Sequence, residues 1–176
     1  MARSSALILL AGLGLVAGAT AAGAQSTSDK SLAPLAGEFR TIQIVGSNSC
    51  LQPEGGSSAQ WTPIVLATCN GSTAQGWKYQ DLGKNHYSFL NPNGWCLYTV
   101  DDPADRSAVF QDACQDSNAE WNSGVKLPDV VSLRTRVRYR DNNFCLDVPG
   151  GVPTEGLRVQ LWACNGSLAQ RWIVGF

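Results

Sequence analysis

Apolar and polar side chains alternate along this chain only over short stretches, and each such stretch runs into turn-forming residues. Thr41-Ile42-Gln43-Ile44-Val45 leads into Gly46-Ser47-Asn48, Tyr87-Ser88-Phe89-Leu90 into Asn91-Pro92-Asn93-Gly94, and Arg136-Val137-Arg138-Tyr139 into Asp141-Asn142-Asn143. Alternation sends successive side chains to opposite faces of a strand, and Asn, Gly, Asp and Pro supply the reversals between strands. After each comes a Cys-Leu pair, a turn, a second apolar run, another cysteine and a closing tryptophan. No stretch beyond Ala24 sustains a helical period with caps, so the domain is predicted to be all-β.

Laid over one another, these segments are copies of one unit. Cys50 to Trp77 and Cys145 to Trp172 match without a gap, while Cys96 to Trp121 is shorter but keeps the Cys-Leu start, the second cysteine and the tryptophan. A unit this small cannot bury its own apolar face, and three of them can share a core around a threefold axis. Leu51, Leu97 and Leu146 are equivalent, as are Trp77, Trp121 and Trp172, and all six are expected in that core. Trp61, in the turn of the first unit, is expected to pack on the surface.

Composition adds the setting. The first 24 residues carry one charge, Arg3, then a small and apolar run from Ala6 to Ala17 and the tripeptide Ala22-Gly23-Ala24, the pattern of a secretory leader. The run is short of the ~20 residues a bilayer span needs. Taking residues 25–38 as an extension leaves 39–176 as one domain of ordinary size. With 13 basic and 14 acidic residues in the full chain, net charge argues for neither nucleic acid nor a membrane surface.

Six cysteines in an exported chain point to disulfides. Cys50 and Cys69, Cys96 and Cys114, and Cys145 and Cys164 lie 19, 18 and 19 positions apart. Equal short loops favour pairing within each unit, and each loop would add roughly 3 kcal/mol by restricting the unfolded chain. Zinc is disfavoured because there is no C-x-x-C and a single histidine, His86.

The units resemble the Q-x-W repeats of the ricin B-type lectins and the related carbohydrate-binding modules of bacterial glycosidases, from Phe39 to Phe176. The motif is most complete in the third unit. The resemblance implies a β-trefoil of three four-strand repeats with intra-repeat disulfides. It also implies that Asp147, after Cys145-Leu146, takes sugar hydroxyls and that Trp162, two residues before Cys164, is the ring platform. The chemistry suits those residue types, because a carboxylate accepts from adjacent hydroxyls and an aromatic face covers the C–H side of a sugar ring. Gln160 shares the strand face of Trp162 and is the supporting polar group. The position where the family carries Asn is Ala169 here, and Asn165 is placed to compensate. Gln170 is included in the site as a brace for the Asp147 loop. Gln52, Val65 and Ala67 leave the first unit without carboxylate or platform, and Tyr98 and Asp112 alter the second.

Arg134, Arg136, Arg138 and Arg140 alternate with Thr135, Val137 and Tyr139, which on a strand gives one basic face: a solvated face that discourages edge pairing, or a grip for acidic glycans or an acidic partner. Asn70-Gly71-Ser72 and Asn165-Gly166-Ser167 match the N-glycosylation sequon, relevant in a eukaryotic host. No G-x-S-x-G, H-E-x-x-H or phosphate loop occurs, and no enzyme activity, cofactor or metal is expected. The expected function is a secreted lectin that binds glycans or glycoconjugates. The alternative is a non-catalytic subunit that docks a partner toxin or enzyme, as in multi-component bacterial toxins, and a trefoil protease inhibitor is a third class.

Overall fold

The computed structural model describes residues 39–175, so the expected leader and extension lie outside the described residues. Three successive four-strand units follow the three copies of the sequence. The first holds β1 (Ile42–Ile44), β2 (Ser49–Pro53), β3 (Ile64–Thr68) and β4 (Lys78–Gly83), and the second β5 (His86–Leu90), β6 (Cys96–Thr99), β7 (Val109–Asp112) and β8 (Glu120–Asn122). The third is entered through a short extra strand, β9 (Asp129–Val131). It continues as β10 (Arg134–Val137), β11 (Arg140–Asp147), β12 (Gln160–Ala163) and β13 (Trp172–Val174). The helical content of the described residues is five short 3-10 turns, three of which precede the closing tryptophans.

The outer strands form a ring. β13 pairs with both β1 and β9, β4 with β5, β5 with β8, and β8 with β10. The bridge Arg40↔Trp77 joins the first unit's entry to its exit, and the segment 129–137 carries both β9 and β10. The inner hairpins β2–β3, β6–β7 and β11–β12 cap the ring. Bridges Pro63↔Phe110, Ala108↔Gln160 and Val65↔Arg158 lace each hairpin to the other two. This is a β-trefoil, the fold that the family resemblance implies.

Its core is built three times from the same parts. Leu51, Leu97 and Leu146 are fully buried, and Trp77, Trp121 and Trp172 are buried with them. Each indole Nε1 donates to the backbone carbonyl of its own unit's leucine: Trp77 to Leu51 at 3.1 Å, Trp121 to Leu97 at 3.0 Å, Trp172 to Leu146 at 3.0 Å. A buried indole N–H needs a partner, and here it fastens the closing strand to the hairpin of the same unit. The disulfides Cys50–Cys69, Cys96–Cys114 and Cys145–Cys164 close the hairpins, with Cα atoms 5.1, 5.2 and 5.0 Å apart.

The arginine stripe is corrected. Arg134 and Arg136 lie on β10, but the chain reverses at Arg138 and Tyr139, whose φ values are 52° and 60°, and Arg140 opens β11. Two left-handed residues make the tight turn that suits a twisted hairpin. Asp141-Asn142-Asn143, read from the sequence as the turn, is strand instead. The reason is Asp141: Oδ1 faces Nε2 of His86 at 2.8 Å and Oδ2 accepts from Nδ2 of Asn122 at 2.8 Å, which fastens this segment to β5 and β8. Arg136 is paired with Glu120 and lies over the Tyr139 ring, so the four guanidiniums do not form one face.

Burial works to raise the pKa of Asp141. Hydrogen bonds from His86 and Asn122, with the charges of His86 and Arg136, outweigh it and hold the carboxyl below its ordinary value. A depressed folded-state pKa adds stability that is present above the unfolded value and lost as pH falls through the folded one. Asp141→Asn is therefore expected to lower the unfolding free energy near neutral pH by about 0.5 kcal/mol given its exposure, read as a small drop in the urea midpoint. That difference is expected to vanish below the native carboxyl's titration.

Candidate functional site

The third hairpin separates core from surface by strand alternation alone. β11 and β12 pair with Cys145 opposite Trp162, Leu146 opposite Leu161 and Asp147 opposite Gln160. Leu146 and Leu161 are fully buried, so Asp147, Gln160 and Trp162 share the other face. There they border a hollow of about 650 Å³, with Asn165 and the exposed Leu168 on its rim and Gly150 and Gly151 at its turn. Those glycines have φ of 69° and 70°, a conformation that side chains rarely adopt, and they keep this edge open.

Asp147 is 5% exposed and held from two sides. Gln160 Nε2 donates to Oδ1 at 2.8 Å, and Gln170 Nε2 donates to Oδ2 at 3.1 Å. A carboxylate has about four acceptor sites, so two remain beyond those the glutamines fill. Gln170 itself is fully buried and does not border the hollow. Its Oε1 accepts from the Asn165 amide at 2.9 Å and its Nε2 also donates to the Ala163 carbonyl at 3.1 Å, so it ties both walls to Asp147 from beneath. Asn165 Oδ1 accepts from the Ser167 amide at 2.9 Å, which orients this rim residue.

Sequence reasoning missed a contribution from the second repeat. Arg106 lies over the Trp162 ring, 5.7 Å from its centroid, and its amide donates to the Leu161 carbonyl at 2.8 Å. Asp105 Oδ1 accepts from the Ala163 amide at 2.7 Å. The Trp162 ring thus carries a cation from a neighbouring loop, a contact that strand periodicity does not register.

The first repeat lacks these groups as expected. Gln75 repeats the brace of Gln170, donating to the Thr68 carbonyl at 2.8 Å and to Gln52 Oε1 at 3.2 Å, and accepting from the Asn70 amide at 2.9 Å. Val65 and Ala67 are buried. In the second repeat the Asp112 carboxylate is buried and takes the Gln60 side chain and the Ala113 amide, while the Tyr98 hydroxyl donates to Asp116 Oδ2 at 2.7 Å.

Compared with known protein families, residues 38–172 match the model described as the ricin-type beta-trefoil lectin domain. No curated protein sequence matches the chain. Among solved structures, the designed threefold-symmetric protein ThreeFoil aligns at TM-score 0.68 and 22% identity, over 77% of this chain and 96% of its own. The Rhizoctonia solani agglutinin aligns at 0.63 and 20%, over 76% and 91%, and the Macrolepiota procera ricin B-like lectin in complex with lactose at 0.58 and 23%, over 77% and 93%. At these identities the structural likeness speaks to the fold.

Proposed function

The chain belongs to the family of ricin-type beta-trefoil lectin domains, and we propose that it acts as a secreted, free-standing lectin whose sugar site is the hollow of the third repeat. The observation that carries this reading is the Asp147 carboxylate, pinned by Gln160 and Gln170, on the same hollow as the Trp162 ring. Acceptor oxygens for two neighbouring hydroxyls and an aromatic wall for the C–H face are the two elements a pyranose needs. Gln160 is the supporting contact, Asn165 the rim contact and Gln170 the hidden brace. Export accords with three disulfides, which persist in oxidising surroundings.

A shallow site for one sugar ring gives weak binding, with Kd on the order of 1 mM or about 4 kcal/mol. Lactose, present in the complex of the Macrolepiota procera lectin, is the first ligand to test by calorimetry, followed by a glycan array. The expected result is saturable binding that disappears in an Asp147→Ala, Trp162→Ala double variant. An array without signal, or full signal from the double variant, would sink the proposal.

A further inference from the structure

Each hairpin loop carries a left-handed residue at one equivalent position, eight before the second cysteine: Trp61 with φ 61°, Arg106 with φ 71° and Gly156 with φ 75°. Their amides donate to the carbonyls of Gln111, Leu161 and Leu66, at 2.9, 2.8 and 2.8 Å. Those acceptors belong to the second, third and first repeats, so every loop delivers its residue to the hairpin of the next repeat. Glycine adopts this backbone freely, whereas a tryptophan is disfavoured there. At the third hairpin the delivered residue lies over the Trp162 ring; at the second it is an indole.

Trp61, Tyr98, Val100, Asp101, Phe110 and Asn118 border a hollow of about 220 Å³. Tyr98, Val100 and Asp101 stand in the second repeat where Asp147, Pro149 and Gly150 stand in the third, and Phe110 stands where Gln160 does. This is the same location with its polar floor exchanged for rings. Trp61 and Tyr98 meet at 76° with centroids 6.2 Å apart, and Phe110 lies 4.7 Å from Trp61 and 5.5 Å from Tyr98. Trp61 is 58% exposed, which leaves ring surface open to a ligand.

The hydrogen-bonding groups here are mostly spent or sealed: Thr99 Oγ1 has no partner among the described residues but is fully buried. Burial, followed by the hydrogen bond to Asp116, pushes the Tyr98 phenol above its ordinary value, so it stays neutral with its proton given to that carboxylate. Asn118 Nδ2 donates to Asp101 Oδ1, which leaves Oδ2 of the exposed Asp101 at the rim. A polyol would bring hydroxyls that find few partners, at the cost of desolvating them. A cation whose charge is covered by alkyl groups asks instead for ring faces and a counter-charge. We propose that this junction of the first and second repeats binds methylated ammonium groups, as in choline, seated on the exposed Trp61 ring with Asp101 as counter-charge, while the buried Tyr98 and Phe110 rings pack against that indole and hold it in place. The proposal does not rest on the sugar reading of the third repeat.

Choline chloride is the probe, titrated at constant ionic strength while the Trp61 indole and the backbone amides of Tyr98 to Asp101 are followed by heteronuclear NMR. Saturable shifts confined to this junction are expected at millimolar concentration, with binding about tenfold weaker in Trp61→Ala and in Asp101→Asn. The neutral isostere 3,3-dimethylbutanol is expected to bind about tenfold more weakly than choline. Absence of saturable shifts up to about 100 mM choline, equal binding of the isostere, or unchanged binding by folded Trp61→Ala and Asp101→Asn would each overturn the site.

Discussion

Trp172→Ala is expected to lower the unfolding free energy by about 3–5 kcal/mol, a large share of what a domain of this size has. Three losses fall together. The indole is fully buried, so its removal leaves a cavity among Ile44, Leu133 and the other side chains of the shared core. The Leu146 carbonyl loses the donor at 3.0 Å that ties β13 to the third hairpin. β13 pairs with both β1 and β9, so loosening it opens the ring at the seam between first and third repeats. Urea denaturation measures the effect. Trp162→Ala, which removes a half-buried ring from the outer face of β12, is expected to cost less than about 1.5 kcal/mol. Equal losses from the two substitutions would contradict the division of tryptophans into core and surface.

That division was readable from the repeats, and the reason is physical. A residue recurring at the same position in three copies serves what the copies share, which is the core; one present in a single copy serves something local. Trp77, Trp121 and Trp172 fall in the first group, Trp162 and Trp61 in the second. The cysteine spacing was informative because β2–β3 and its two counterparts are hairpins, where short loops bring the pair together. That Gln160 shares a strand face with Trp162 followed from period-two alternation about Leu161. Two features stayed hidden. The turn at Arg138-Tyr139 was masked by alternation that runs straight through it, since a left-handed pair needs no glycine when flanking strands hold it. The delivery of Trp61 and Arg106 to neighbouring hairpins was masked because it crosses repeats, and the one signal was the matching glycine, Gly156, which shows the backbone that all three share.

Gln170→Ala is the sharper test of how the third hollow is built, because the first repeat supplies a matched control in Gln75→Ala. Both glutamines are fully buried, and both accept from a backbone amide after the second cysteine and donate to a carbonyl at the end of a hairpin strand. Each alanine variant strands these groups and is expected to cost about 2–4 kcal/mol. The difference lies in the third bond: Gln75 reaches the neutral Gln52, Gln170 the Asp147 carboxylate. Lactose affinity is therefore expected to fall at least about tenfold in Gln170→Ala and to hold in Gln75→Ala, both measured where the variants remain folded. Gln170→Glu carries the argument further. It keeps the shape but sets a second carboxyl where a donor stood 3.1 Å from Asp147 Oδ2, and two such groups do not ionise together. The introduced acid would have its folded-state pKa raised, so the variant gains stability as pH falls through that value and loses it as pH rises, opposite in sign to the contribution of Asp141. A Gln170→Glu protein with the wild-type pH profile and wild-type lactose affinity would show that Asp147 is not braced from beneath.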